Sequence, residues 1–239
     1  MDVAQIKRGY GKSVREQLEH FPVWDVGRPV QLGDFGTVDD HCFTKLGNIV
    51  DEYEATPEAE DPAAPATWDF KSKGTKDVDG KLDATVTGTA SASLVVTFSA
   101  AFSLYIHAPD STVLAMKNVA AVARQIRNVG KDAVVRWQGD YCFVASLRRT
   151  PCLTLLVSTE ASSTMKITGD TTALEALRIG KAAVTAGIKT SGDSGLSSIG
   201  QDTAVYVDLI KLSWFGKPVS KGAAADYEWV DPKLTPTPA

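Results

Sequence analysis

Few residues in this chain could do acid–base, nucleophilic or metal chemistry. Its 239 residues include three histidines (His20, His41, His107) and three cysteines (Cys42, Cys142, Cys152). They crowd in one place, "DDHC", where Asp39, Asp40, His41 and Cys42 are contiguous. A metal ion or an activated thiol needs its groups to converge on one atom. Neighbouring strand residues point to opposite faces, so His41 and Cys42 would diverge. The segment reads instead as a polar turn entering a strand with a buried cysteine. "SGDSGLSSIG" (191–200) is Gly-rich but has no lysine placed to take a phosphate, and it reads as a flexible loop. Walker, dinucleotide-binding, GxSxG and HExxH motifs are absent. "RWQGDY" (136–141) with Arg148 and Arg149 is a thin basic and aromatic set, better read as a solvated strand face. The sequence therefore predicts no catalytic residue, no metal, no cofactor and no nucleic-acid partner.

The elements that would carry a function without such groups are strands. Hydrophobic residues make up 44% of the chain and charged residues 23%, enough for a sizeable core. The net charge of −4 is uneven: residues 51–61 hold six acids and no base, leaving 25 bases against 23 acids elsewhere. Three cysteines are too few for a disulfide framework and suggest a reducing cytoplasm. The first residues lack the apolar core of a signal peptide, and no run of 18 apolar residues occurs.

Ser13 and Glu16 form a capping box that predicts a short helix to about His20, and Gly9 and Gly11 argue against an earlier start. Residues 29–50 read as strands with Gly-Asp turns, and 51–67, acidic and rich in Pro and Ala, as a mobile insert. Val119, Val122, Ile126 and Val129 recur at helical spacing. Strand-like runs follow at 133–149 and 152–159. A second capping box, Thr172 with Glu175, opens another helix, and a last strand spans 203–215. No regular βαβ rhythm appears, so the expected class is α+β with a twisted, mainly antiparallel sheet and peripheral helices.

One stretch stands out. From Lys81 to Ala108 the even positions are apolar or small, among them Val86, Leu94, Val96, Phe98, Phe102, Leu104 and Ile106, while the odd positions are mostly Thr and Ser. No charge lies between Asp83 and His107. A single strand of that length would run about 90 Å at about 3.3 Å per residue, so the segment must bend or form a hairpin, with Gly88 a natural kink. Two core strands would alternate this way. So would two barrel strands in a membrane, each of about 9–11 residues and free of charge on the lipid side. "TPCLTLLVST" (150–159), with Leu153 and Leu155, is a second charge-free run of that length.

From about Arg15 to Ser213 the chain resembles the N-terminal pore-forming domain of gasdermins. An amphipathic helix precedes "PVQLGDFGTVDDHCFTKLGNI"; a variable insert follows. "WDFKSKGTKDVDGKLDATVTGTASASLVV" is similar to the family's long alternating segment. "YCFVASLRRTPCLTLLVST" resembles its second hairpin region, and "TAVYVDLIKLSWFGK" its closing strand. The resemblance implies a domain over residues 1–216 whose two hairpin regions extend on activation. They would pair with those of other copies and close a large β-barrel pore, in regulated cell death or antiphage defence. It implies membrane lipids, an activating protease and further copies of the chain as partners. Lys7, Arg8, Lys12 and Arg15 are the candidates for anionic head groups.

Residues 217–239 would be a linker and short inhibitory tail, with Tyr227, Trp229 and Val230 docked on the domain, as in short bacterial members. Those members tend to carry a lipid-modified cysteine near the N-terminus, whereas the first cysteine here is Cys42. The expected location is the cytoplasm, then a membrane after activation. The reading from residues alone leaves an alternative open: a non-enzymatic α+β binding or assembly module.

Overall fold

The computed structural model describes residues 3–24, 26–83, 91–130, 133–170, 189–191, 195–212 and 227–230. In chain order the elements are α1 (Val3–Leu18), β1 (Val23–Trp24), β2 (Asp34–Asp39), β3 (Cys42–Asn48), α2 (Ile49–Tyr53), β4 (Ala66–Lys71), β5 (Thr75–Asp83), β6 (Ser91–Phe98), β7 (Leu104–Ala115), α3 (Val119–Val129), β8 (Cys142–Ser158), β9 (Thr164–Asp170), β10 (Lys189–Ser191), β11 (Gly195–Leu212) and β12 (Tyr227–Trp229). One sheet has eight strands in the order β1-β3-β2-β8-β11-β12, with β7 also paired to β8 and β4 to β7. A second sheet has four, in the order β10-β9-β6-β5. The β1–β3 pair is parallel and the other pairs with a defined register are antiparallel. The class is α+β, as expected.

The chain divides into two compact units. One takes residues 1–13, 65–111 and 150–203, the other 14–64, 112–149 and 204–239. In the second unit, Phe35, Tyr53, Val122, Ile126, Trp137 and Phe143 meet in one apolar cluster, and Phe21, Phe43, Val144, Leu147 and Val207 in another. The hairpin of β2 and β3 turns through Asp40 and His41, both at positive φ (48° and 66°), as a two-residue turn between right-twisted strands requires. The Arg15 guanidinium meets the His41 imidazole there, and both side chains are buried. Gly36 lies opposite a bulge in β3, where Leu46 takes no paired position, and a Cβ added to it would lie 1.9 Å from the Thr44 carbonyl oxygen.

Beneath that hairpin the fully buried Asp34 accepts from Asn48 Nδ2 (2.8 Å) and the Gln31 amide (2.9 Å) and pairs with Lys45 Nζ (2.8 Å). Asn48 in turn caps α2 by accepting from the Val50 amide (2.9 Å). A carboxylate so supplied tolerates burial. The sequence reading did not single out this cluster.

Several expectations change. The first helix does not start at Ser13; α1 runs unbroken through Gly9 and Gly11. Gly in a helix interior costs about 1 kcal/mol against Ala. Here Gly9 makes room for a ring: a Cβ on it would lie 2.0 Å from Phe102 Cδ1. The two runs at 133–149 and 152–159 are not separate strands. β8 is continuous from Cys142 to Ser158, through the exposed Pro151, and 133–141 is loop, with Trp137 buried. "YCFVASLRRTPCLTLLVST" is thus one strand and not a hairpin.

The acidic insert is tied down along 56–60. The Thr56 amide donates to Gln125, the Glu58 amide to Asn118, the Lys117 amide to the Glu58 carbonyl and the Glu60 amide to the Ala115 carbonyl. "GLSSIG" (195–200) belongs to β11, not to a loop. The helix expected after Thr172 and the kink at Gly88 lie outside the described residues.

Gly9→Ala is expected to lower stability by about 1–3 kcal/mol through overpacking against Phe102. In a Phe102→Ala background the same change should raise it by up to about 1 kcal/mol. Urea unfolding of the four proteins checks the reversal of sign.

Candidate functional site

The histidines and cysteines are dispersed into structural roles. His41 sits in the β2–β3 turn and Cys42 is fully buried behind it. His20 stacks on Tyr206 (ring centroids 3.9 Å apart) and bonds Asp208 at 2.5 Å. His107 Nδ1 bonds Asp69 Oδ1 at 2.6 Å across β7 and β4. Burial pushes the Cys142 thiol up to about 12, which keeps it protonated and unreactive. Burial, and then the Asp69 carboxylate, raises Tyr105. Among the described residues no group of three or more His, Cys, Asp or Glu could hold a metal ion.

What the fold does assemble is a two-faced sheet. Val78 pairs with Val96, Gly80 with Leu94 and Leu82 with Ala92 between β5 and β6. β6 pairs onward with β9, Val96 with Met165, Leu94 with Ile167 and Ala92 with Gly169. Alternation puts Val78, Leu94, Val96, Met165 and Ile167 on one face. Three strands therefore share an apolar face across the Val78–Val96–Met165 and Leu94–Ile167 rows. Leu94, Val96, Phe98, Met165 and Ile167 are buried there against Tyr105 of β7 and Leu156 of β8, with Val78 and Cys152 packed alongside.

The other face carries Asp77 and Asp79 on β5, Val95 and Thr97 on β6, and Thr164 and Lys166 on β9. Lys76, which would break the alternation, sits at the bulge between Thr75 and Asp77 and takes no paired position. At nine residues and about 3.3 Å per residue, β5 spans about 30 Å, the thickness of a bilayer's hydrocarbon core.

The expected inserting residues divide accordingly. Leu94, Val96 and Phe98 lie together on the apolar face. Val86 lies outside the described residues. Phe102 is in a turn at φ 56°, where the chain passes from the four-stranded sheet to the eight-stranded one. Leu104, Ile106, Leu153 and Leu155 are buried in β7 and β8 of the eight-stranded sheet, not in the hairpins. The sequence reading missed Val78, Met165 and Ile167. "TMKITGD" does alternate, but it is short and its polar face holds Lys166 and Asp170.

On α1, Arg8 and Lys12 are exposed, Lys7 is half-buried, and Arg15 is buried on His41 and so not displayed to a membrane surface in this state. The tail adds an edge strand: Tyr227 pairs with Leu212, Glu228 with Lys211 and Trp229 with Ile210. The Val230 amide donates to the Leu209 carbonyl (2.8 Å), and its side chain packs on the cluster around Phe43. Trp229 differs from the expectation of a docked ring: its side chain is 55% exposed.

Among the described residues of unit one, two buried polar side-chain atoms have no hydrogen-bond partner, His107 Nε2 and Thr154 Oγ1. Among the described residues no helix is long and apolar enough to cross a membrane, which says nothing of crossing by strands. In comparisons with known proteins, no family model and no curated protein matches the chain.

Thr154→Val removes a buried, unpaired hydroxyl at nearly constant volume, so stability is expected to rise by about 1 kcal/mol, read by urea unfolding. Iodoacetamide at mildly alkaline pH should label no cysteine of the folded protein beyond the half-buried Cys152, and all three after denaturation. Peptide mass spectrometry assigns the sites.

Proposed function

We propose that the protein is an autoinhibited pore former that inserts the strands β5, β6, β9 and β10 into a membrane and closes them, with those of further copies, into a β-barrel. The observation that carries this reading is the three-strand apolar face of Val78, Leu94, Val96, Met165 and Ile167, backed by a face that carries Asp77, Asp79, Thr97, Thr164 and Lys166. In the compact state the apolar face is covered by Tyr105 and Leu156. Exposed to lipid, it would need no change of residue, and the polar face would line water.

A four-stranded sheet has two open edges, here β5 and β10. Each unpaired backbone group costs several kcal/mol in hydrocarbon, so insertion requires closure through other copies. In water the same β5 edge is protected by Lys76, Asp77 and Asp79, since charged edge strands resist stray pairing. The pairing of β12 on β11 supplies the restraint. Proteolysis between Leu212 and Tyr227 would turn an intramolecular strand into a dissociable peptide. Regulated cell death or defence against phage is the setting this activity fits.

The test uses the full chain with a specific protease site placed at Gly216 and dye-loaded vesicles containing anionic lipid. Cleavage should start leakage, and the uncut chain should leave the vesicles sealed. Val78→Lys puts a charge on the lipid face at about 2–4 kcal/mol per chain and should abolish leakage. Asp79→Lys, one residue along on the other face, should leave it largely intact. Sealed vesicles after complete cleavage of folded protein would instead favour a binding or assembly module.

A further inference from the structure

The loop before β8 alternates in burial. Ala133 and Val135 pack on the apolar cluster around Phe35, and Trp137 is buried in it. Val134 and Arg136, between them, are exposed. A period of two puts both on the outward side. Val134 is fully exposed. Its inward neighbours hold the loop, so an aliphatic side chain and a guanidinium stand out together on a packed support. The same unit carries a cavity of about 430 Å³ whose lining includes Leu32, Val50, Pro57 and Leu114, with Asn48 and Asp51. That is within the range of about 300–1,000 Å³ that encloses a small ligand, so there is room for more than one side chain. The Pro57 wall belongs to the segment 56–60, which its hydrogen bonds tie to residues 115–125. Val50 and Asp51 are exposed. Residues 51–61 bring six acids and no base to that side.

We propose that this cavity receives Val134 of a second copy of the chain, with that copy's Arg136 set against Asp51. The apolar lining suits an aliphatic side chain, and the acidic wall suits a cation beside it. The loop offers both, two residues apart. Val134 insertion supplies the affinity, because apolar groups that leave water in a pocket dominate such contacts. The Arg136–Asp51 pair at the rim selects the partner and the register more than it adds strength. Knob and cavity are different surfaces, so every copy carries one of each and the contact runs head to tail. A head-to-tail contact closes into a ring when its rotation allows. The inference rests on the pore reading, in which copies must meet, and names a surface that sets them side by side.

The measurement is disulfide cross-linking between copies. The full chain with the protease site at Gly216 carries Val134→Cys and Ala59→Cys, Ala59 being part of the cavity lining. It is cleaved on dye-loaded vesicles containing anionic lipid and mildly oxidised, and denaturing electrophoresis reads the products. A head-to-tail contact gives a ladder of linked multimers. A mixture of the two single variants gives dimers only, and each single variant alone, like the parent, gives none. Arg136→Glu in the double-cysteine chain should cut the ladder about tenfold, and Asp51→Lys added to it should restore the ladder. No ladder from folded, cleaved protein, or a ladder that Arg136→Glu leaves unchanged, would overturn the contact and give the cavity to another occupant, even if the vesicles leak. Dimers alone from the double-cysteine chain would overturn the head-to-tail arrangement. A charge-dependent ladder beside sealed vesicles would uphold the contact and overturn the pore reading.

Discussion

The apolar layer of unit one is the contact on which the rest of that unit depends. Leu94, Val96 and Phe98 of β6, with Met165 and Ile167 of β9, are buried in one cluster with Tyr105 and Leu156. Burying each such side chain is worth about 1.5–3 kcal/mol. The layer fixes which face of β5, β6 and β9 is dry, and the register then fixes where every charge on those strands falls. A one-residue slip would bring Asp79 and Lys166 into the apolar layer, so the register is strongly specified.

The same layer is the barrier to any other use of the sheet. Residues with this pattern are stable in either of two surroundings, packed protein or hydrocarbon, because both exclude water and neither demands a partner for Leu94 or Val96. What differs between the two is the fate of the edges. In water the charged β5 and the short β10 can remain unpaired; in lipid they cannot. An assembly in which edges meet edges is the physical consequence, and it is why the proposed activity needs many copies and a restraint.

The second unit solves its problems with polar contacts buried beside apolar ones. Asp34 is supplied by Lys45, Asn48 and the Gln31 amide, and Arg15 by His41. These groups join residues far apart in sequence, α1 to the β2–β3 turn and a loop to the start of α2. They could not be identified along the chain, because Asp34 reads as an ordinary Gly-Asp turn and Arg15 as one more cation on a helix. The Gly9–Phe102 contact is hidden for the same reason. A glycine in a helix looks like a break until the ring that fills its place is known.

Period-2 alternation made the α+β class and the strand character of 91–98 and 104–108 readable, and the 3.6 spacing of Val119, Val122 and Ile126 made α3 readable, because burial of one face imposes those periods locally. The scarcity of His and Cys, and their spacing, were plain from the residues alone. The partners were not. Alternation says that Leu94 and Leu104 each have a dry side, but not that Phe102 turns the chain between them into a different sheet. It says nothing of β9, whose short alternating run gains its meaning only from lying beside β6. Burial is a local demand and leaves a local mark. Which strand answers it is settled by contacts between distant segments, and those exist only in the folded chain.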